Sequence, residues 1–222
     1  SGEINRNLRM YHHGEISDLQ FVIDKVINQD IYQKIYLCGF SLGGNVILKY
    51  MGIHGPKVPD VVKGAVAVSV PCDLASSSLA LDQWYNYMYT RRFRKSLRKK
   101  FEHKSVQFPG LIDMEQYDEV KTWEEFDNTF TTKVTGFKNA GEYYQQGSAN
   151  NFIAGNSRPT LIINALNDPF LQEKSYPIDL CKDLPHVYLE MPKYGGHVGF
   201  WFPWFEQSYI EKRSIDFLQH MA

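Results

Sequence analysis

The stretch Gly39-Phe40-Ser41-Leu42-Gly43-Gly44-Asn45 decides how this chain folds. It follows an apolar run at 34–38 and precedes a helix-forming run at 46–51. A strand that turns sharply into a helix at G-x-S-x-G is the nucleophile elbow of serine hydrolases, in which glycines let strand and helix cross and the serine is left exposed and strained. The pattern predicts that Ser41 projects above the carboxyl edge of a sheet, where α/β folds bind ligands. The alternative is a glycine-rich turn with a surface serine.

Two further apolar runs lead to residues that could complete a catalytic triad. The run at 160–166 leads to Asp168, and the run at 186–191 leads to His197. The chemistry needs these residue types, because an imidazole must take the serine proton and a carboxylate must orient the imidazole. The chain order Ser, Asp, His is that of α/β-hydrolases. Taken singly, Asp168 could form an Asx-type turn and His197 could be a loop histidine; together they predict a triad with Ser41.

Motifs along almost the whole chain resemble one family. Segments 39–45, 164–170 and 195–200 read GFSLGGN, NALNDPF and GGHVGF, and are similar to the signatures of the YheT-type α/β-hydrolases. That group includes bacterial predicted esterases and eukaryotic lipid-active relatives. The opening segment 1–19 resembles the family's segment after its fourth strand, and the middle of the chain, with EEFD at 124–127, resembles its cap. The resemblance implies an α/β-hydrolase fold whose substrates vary among members.

The resemblance also implies that residues 1–222 form the carboxy-terminal half of a mostly parallel sheet flanked by helices, because family members carry the first half upstream. The sequence independently shows only four strands, each a continuous apolar run as in parallel strands covered on both faces. These strands are predicted at 35–39, 61–70, 160–166 and 186–191. The first would lie centrally with one edge unpaired, an aggregation hazard. We expect a single α/β domain here, part of a larger domain of about 300 residues or more.

Between the second and third predicted strands lie about ninety residues, far more than a βα connection needs. We expect residues 74–157 to form a helical cap over the active site. An amphipathic basic helix is predicted in it, with Phe93, Leu97 and Phe101 at four-residue spacing. Its basic residues are Arg91, Arg92, Arg94, Lys95, Arg98, Lys99, Lys100 and Lys104. Such a helix could meet anionic lipid, but the acidic stretch 113–127 balances it, which favours a solvated cap face over membrane contact.

Aromatic residues cluster on both sides of the predicted site. We expect them to form an apolar pocket wall or to be ordinary core residues. They are Trp84, Tyr85, Tyr87 and Tyr89 before the basic helix, and Phe200, Trp201, Phe202 and Trp204 after His197.

Two scaffold helices carry end signals. Ser17 and Gln20 have the spacing of a capping box, and Ile16 and Phe21 that of a hydrophobic staple. A final helix is predicted over 203–219, with proline in its first turn.

Composition points to a globular protein, with 43% apolar and 22% charged residues. The net charge of −1 gives no general attraction to nucleic acid. Cys38, Cys72 and Cys181 are odd in number and widely spaced, which favours buried, reduced thiols and a cytoplasmic location. A membrane anchor upstream of this chain, as in the family's eukaryotic relatives, is an alternative that the sequence leaves open. The pair His12-His13 lacks the spacing of a zinc site, and no metal or cofactor is expected.

The functional prediction is a cofactor-free serine esterase that cleaves small-molecule or lipid esters through an acyl-enzyme intermediate. The backbone N–H of Leu42 is expected to be one oxyanion donor, and the second is expected upstream of this chain. An acyltransferase using the same triad is one alternative, separable by product analysis with competing acceptors. A non-catalytic binding module is another, which a serine-directed fluorophosphonate would not label.

Overall fold

A computed structural model of the chain describes residues 3–201 and 206–220, and its framework is a parallel sheet. The register pairs Phe40 with Val68, Val68 with Ile163 and Ile163 with Glu190, so the carboxyl ends of the strands lie together at one edge. The strands lie side by side in chain order: β1 (Ile35–Phe40), β2 (Val62–Val68), β3 (Thr160–Ile163) and β4 (Val187–Glu190).

Helices occupy the connections between the strands. The α-helices are α1 (Ser17–Ile27), α2 (Leu42–His54), α3 (Leu74–Leu81), α4 (Tyr87–Gln107), α5 (Trp123–Phe126), α6 (Thr132–Thr135), α7 (Ala140–Gly147), α8 (Ile178–Lys182) and α9 (Tyr209–His220). A π-helical turn, Asp127–Thr131, joins α5 to α6. Short 3-10 turns lie at Gly55–Lys57, Trp84–Asn86, Glu115–Tyr117, Ala149–Asn151, Ile153–Gly155 and Glu173–Ser175. Among the helices of the described ranges, none has the length and apolar character needed to cross a membrane.

The two faces of the sheet are covered unequally. On one face, Leu37, Ala65 and Ala67 pack under α1 and α2. On the other, α9 packs through Ile210 and Phe217 onto β2 and β3. This second cover does not extend over β1. Two β1 side chains are therefore exposed, Cys38 and Phe40, and the expectation of a buried thiol is wrong for Cys38 while it holds for Cys72 and Cys181.

The stretch between β2 and β3 has an aromatic core of its own. Phe101 of α4 contacts Phe126 and Phe130, with ring centroids 5.7 and 5.2 Å apart. Trp123 and Tyr117 add to the same cluster. The predicted 74–157 segment is thus helical and separately packed, as an insertion folded onto the sheet would be.

Two buried polar side chains of α2 tie this helical segment to the scaffold. The Asn45 amide donates to the carbonyls of His13 and Gly147, at 2.8 and 2.7 Å. The Lys49 ammonium donates to the carbonyls of Gly14 and Gln146, at 2.9 and 2.6 Å. The helix that follows the G-x-S-x-G turn therefore also holds the base of the inserted segment.

The end signals predicted for α1 are wrong. Ser17 does not cap α1, because the buried Glu15 carboxylate accepts both its N–H and its hydroxyl, at 2.8 and 2.5 Å. Gln20 instead donates to Asp24, one turn along the helix. The staple is also absent, since Phe21 is 68% exposed. The last helix begins at Tyr209, and the predicted proline start at 203 lies outside the described residues.

The aromatic residues around the start of α4 do not form a pocket wall or a core. Trp84, Tyr85, Tyr87 and Tyr89 are all exposed, and Trp84 retains 85% of its accessible surface. After the histidine, Phe200 is buried against β2 and β3 while Trp201 is exposed. The expectations for positions 202 and 204 fall outside the described residues.

Candidate active site

Ser41 lies in the sharp turn between β1 and α2. Its N–H donates to the carbonyl of Val68 at 2.8 Å, which fixes the turn to the end of β2. Its backbone has φ 50° and ψ −117°, a conformation that strains a residue with a side chain. The serine thus sits at the carboxyl edge of the sheet and at the N-terminus of α2, where the helix dipole favours negative charge.

The loops after β3 and β4 bring Asp168 and His197 to this serine. His197 Nε2 lies 3.1 Å from Ser41 Oγ, and His197 Nδ1 lies 2.8 Å from Asp168 Oδ2. An ionised carboxylate can only accept, so Nδ1 carries the hydrogen and Nε2 accepts from the serine hydroxyl. The Asp168 side chain is fully buried, and its other oxygen accepts the N–H of Phe170 at 2.9 Å. The three residues indicated by the sequence lie in one hydrogen-bonded row.

Two polar side chains that sequence reasoning missed hold the loop that carries the histidine. Asn167 Oδ1 accepts the N–H groups of Gly195 and Gly196, both at 2.9 Å. Ser69, at the end of β2, accepts the N–H of Val198 at 3.1 Å and itself has φ 53°. Nothing in the local sequence marks Ser69, because its role depends on which loop folds against it. Asn167 has one signal, its place directly before Asp168.

A third missed residue, Phe170, links the imidazole to the inserted helices. Its ring centroid lies 4.3 Å from that of His197. On its other side, Tyr89 and Phe93 of α4 approach it edge-on, at 5.0 and 5.9 Å. The position of α4 is therefore coupled by ring contacts to the position of the imidazole.

Leu42 provides a hydrogen-bond donor beside the serine. It is the first residue of α2, and the first N–H groups of a helix have no partner within the helix. Such a donor next to the serine is where an oxyanion would be held in this kind of turn.

Ser41 and His197 open into a cavity of about 440 Å³, within the size range of small-molecule sites. Its wall is mostly apolar and comes from the segment before α1, the loop after β2 and the helical insertion. The apolar lining is Met10, Leu42, Leu74, Leu81, Phe93, Leu97, Phe101, Trp123, Phe126, Val134 and Phe170. The apolar stripe predicted on the basic helix thus faces the cavity.

Two groups of polar side chains in the cavity wall are paired internally. The hydroxyls of Thr131 and Tyr144 donate to the two oxygens of Asp127, at 2.5 and 2.8 Å. Burial raises the pKa of Asp127 to about 6, despite these bonds. Burial lowers the pKa of His13 to about 4, and its Nδ1 lies 2.8 Å from the Tyr143 hydroxyl. These five side chains are therefore bonded within the wall, and His13 stays neutral.

The adjacent histidines have separate partners. His12 Nδ1 accepts the N–H of Gly14, whereas His13 bonds to Tyr143. Among the residues that the structure describes, no group of three or more His, Cys, Asp or Glu side chains could hold a metal ion.

A strand-turn-helix serine, an acid and a histidine after successive parallel strands define the α/β-hydrolase class. The family profile described as "alpha/beta hydrolase fold" matches residues 4–203, and the chain belongs to that family.

Within it, the chain is 32% identical over 202 residues to the Escherichia coli (strain K12) protein named "Putative esterase YheT", covering 90% of this chain and 58% of that protein. It is 31% identical over 228 residues to "Phospholipase ABHD3" of Bos taurus, covering 100% of this chain and 54% of that protein. The chain therefore spans little more than half the length of these relatives. The predicted resemblance to YheT is confirmed.

Among solved structures, the Pyrococcus furiosus esterase Pf2001 matches with a TM-score of 0.55 at 17% identity, covering 93% of this chain and 61% of that one. This likeness concerns the fold alone.

Proposed function

We propose that this chain carries the catalytic site of a serine esterase that cleaves lipid or other acyl esters. The observation that carries the proposal is the row from Asp168 through His197 to Ser41, with bonds of 2.8 and 3.1 Å, opening into a largely apolar cavity. Relatives named esterase and phospholipase support the same reaction class.

The geometry supports a two-step acyl transfer to water. Ser41 Oγ attacks the ester carbonyl carbon while His197 Nε2 takes the hydroxyl proton, and Asp168 stabilises the resulting imidazolium. The Leu42 N–H donates to the developing oxyanion. The imidazolium then protonates the leaving alcohol, which departs and leaves an acyl-Ser41 ester. Water, deprotonated by the same imidazole, attacks that ester, and collapse of the second intermediate releases the carboxylic acid and restores the serine.

The cavity favours an apolar acyl group. Side chains such as Leu97, Phe101 and Phe126 line it, and the polar groups of Asp127, Thr131 and Tyr144 are bonded to one another. Each methylene moved from water into such a wall contributes about 0.8 kcal/mol. The preference for longer acyl chains should therefore grow by about fourfold per methylene until the cavity is filled.

The 74–157 segment acts as the cap of this site. It supplies Phe93, Leu97 and Phe101 to the cavity wall, and its α4 contacts the imidazole through Phe170. The cap thus shields the acyl group from bulk water, while the loops at the edge of the sheet supply the reacting groups.

The decisive experiment measures hydrolysis of p-nitrophenyl esters of increasing chain length, together with fluorophosphonate labelling followed by peptide mapping. We expect the label on Ser41. Ser41→Ala should not be labelled, and its kcat should be lower by at least about 10³-fold. Ser105→Ala, which changes a serine on α4 that bonds to the carbonyl of Glu102, is the matched control and should label normally.

Labelling of another serine, or ester turnover that survives Ser41→Ala, would refute the proposal. Transfer of the acyl group to an added alcohol in preference to water would instead identify an acyltransferase with the same site.

A further inference from the structure

One surface of the insertion is exposed, aromatic and basic, and the catalytic site does not use it. We call it the aromatic-basic face. It starts in the 3-10 turn before α4 and continues along the outer side of that helix. Its residues are Trp84, Tyr87, Met88, Arg91, Arg92, Lys95 and Lys99.

Helix geometry places these residues together. Met88, Arg92, Lys95 and Lys99 follow one another at spacings of four, three and four, which puts them on one side of an α-helix. The opposite side is turned inward, where Phe101 is buried. Met88 is 70% exposed and Tyr87 62% exposed. A large apolar side chain is thus held in water directly beside a row of cations.

Several carboxylates of the neighbouring acidic stretch make their hydrogen bonds to groups other than this row. Asp113 accepts the N–H of Glu115, and Glu125 accepts the N–H groups of Lys121 and Thr122. Asp127 is occupied by two hydroxyls.

The ion pairs of α4 also lie away from the row. Asp118 and Glu102 both pair with Arg98. Within the described part of the chain, none of the ion pairs includes a cation of the face.

We propose that the aromatic-basic face binds the surface of a bilayer that contains anionic lipid. Tryptophan and tyrosine favour the headgroup region of a bilayer, because one end of each side chain is apolar and the other is polar. Lysine and arginine gain from the negative surface potential of such a membrane. Because the whole chain has a net charge of −1, it is not expected to attract polyanions in general. Attraction to an anionic membrane therefore depends on the local arrangement of these cations.

The location of the face gives this contact a use. The same helix contributes Phe93 and Leu97 to the cavity wall, and Phe93 contacts Phe170 beside the imidazole. A bilayer bound at the face would therefore lie against the wall of the cavity that contains Ser41. Binding itself is independent of hydrolysis, so it is tested in the Ser41→Ala variant, where a failed proposal for catalysis cannot affect the result.

The test is sedimentation with phosphatidylcholine vesicles, with and without about a third of phosphatidylglycerol. We expect binding to the anionic vesicles, much weaker binding to the neutral ones, and loss of binding as salt is raised. Replacing Arg92, Lys95 and Lys99 by Gln should weaken binding on the order of 100-fold, since each such charge near an anionic surface contributes about a factor of five.

A matched control removes the same charge from the scaffold. Lys25→Gln, Lys57→Gln and Lys212→Gln change three exposed lysines on other elements and should bind as the parent does. Quenching of tryptophan fluorescence by brominated lipid should be present in the parent and largely lost in Trp84→Phe.

Four results would overturn the proposal: no binding to anionic vesicles, equal binding to neutral vesicles, equal weakening by the control triple, or quenching that survives Trp84→Phe. Tighter binding of a single-stranded oligonucleotide than of vesicles would overturn it in favour of a nucleic-acid surface.

Discussion

At the scale of single residues, the glycines of the turn at Ser41 are not equivalent. A Cβ at Gly39 would lie 2.7 Å from the backbone of Gly43 and 2.6 Å from Ile47 Cδ1, so strand and helix cross there with no room for a side chain. A Cβ at Gly44 would lie 2.6 Å from Val70. A Cβ at Gly43 would meet nothing within 4 Å. The G-x-S-x-G motif specifies Gly39 and Gly43, whereas the packing requires Gly39 and Gly44.

This difference predicts opposite effects of two alanine substitutions. Gly39→Ala should destabilise the protein by about 3 kcal/mol, because the backbone of the turn must move to accept the methyl group. Gly43→Ala should raise the free energy of unfolding by about 0.5 to 1 kcal/mol, since glycine inside a helix costs that much relative to alanine. Urea denaturation of the two variants beside the parent measures both. Destabilisation by Gly43→Ala of the size expected for Gly39→Ala would contradict the argument.

The residues of the site differ in how far the sequence could indicate them. Ser41, Asp168 and His197 each follow an apolar run, and the chemistry selects their types, so they could be named from the sequence; their catalytic roles remain a proposal. Ser69 and Asn167 could not be named in this way. Their function is to accept N–H groups from the loop after β4, and that contact exists only once separate loops have folded against each other.

At the scale of elements, the strands were predictable and the helix ends were not. All four strands appear where predicted, because buried apolar runs have few alternatives. β1 is one residue longer than predicted, and β2, β3 and β4 are shorter. The prediction of a cap at the start of α1 failed because Glu15, two residues before Ser17, accepts the N–H and the hydroxyl of Ser17. The prediction for the aromatic residues around the start of α4 failed too, since apolar composition alone does not distinguish a pocket wall from an exposed surface.

The π-helical turn between α5 and α6 carries a stability prediction. Burial raises the pKa of Asp127 to about 6 from an ordinary value of 3.8. The folded state therefore binds the proton more tightly than the unfolded state, and the contribution of this carboxyl to stability falls as the pH rises from about 4 to about 6.

Asp127→Asn removes this titration. The free energy of unfolding of the variant, relative to the parent, should rise on the order of 3 kcal/mol between pH 4 and pH 7. The comparison is the difference between urea unfolding curves of the two proteins across that range. Asp179→Asn is the control, because Lys182 lowers the pKa of that exposed carboxyl and gives a slope of the opposite sign. A flat difference for Asp127→Asn would mean that the carboxyl is well solvated.

At the scale of the whole molecule, the free edge of β1 is the surface feature that bears on self-association. Within the described residues β1 pairs with β2 alone, and large apolar side chains are exposed on β1 and on the elements before it. They are Phe21 and Val22 on α1, Ile31 and Tyr32 in the following loop, and Phe40 on the strand. An unpaired strand edge beside such side chains is a template for association. The 222-residue chain should therefore self-associate as its concentration rises.

Sedimentation velocity over a wide concentration range measures this association. Phe21→Ser with Ile31→Ser should shift it to higher concentration, because these substitutions remove exposed apolar surface from the elements that lead into β1 without emptying the core. Ile178→Ser with Ile215→Ser is the matched control, since both isoleucines are exposed on α8 and α9. Equal effects of the two pairs would show that association follows general surface hydrophobicity, while a monomer at all concentrations would show that the edge is inert. A specific effect of the first pair would place the association surface on the elements that lead into β1.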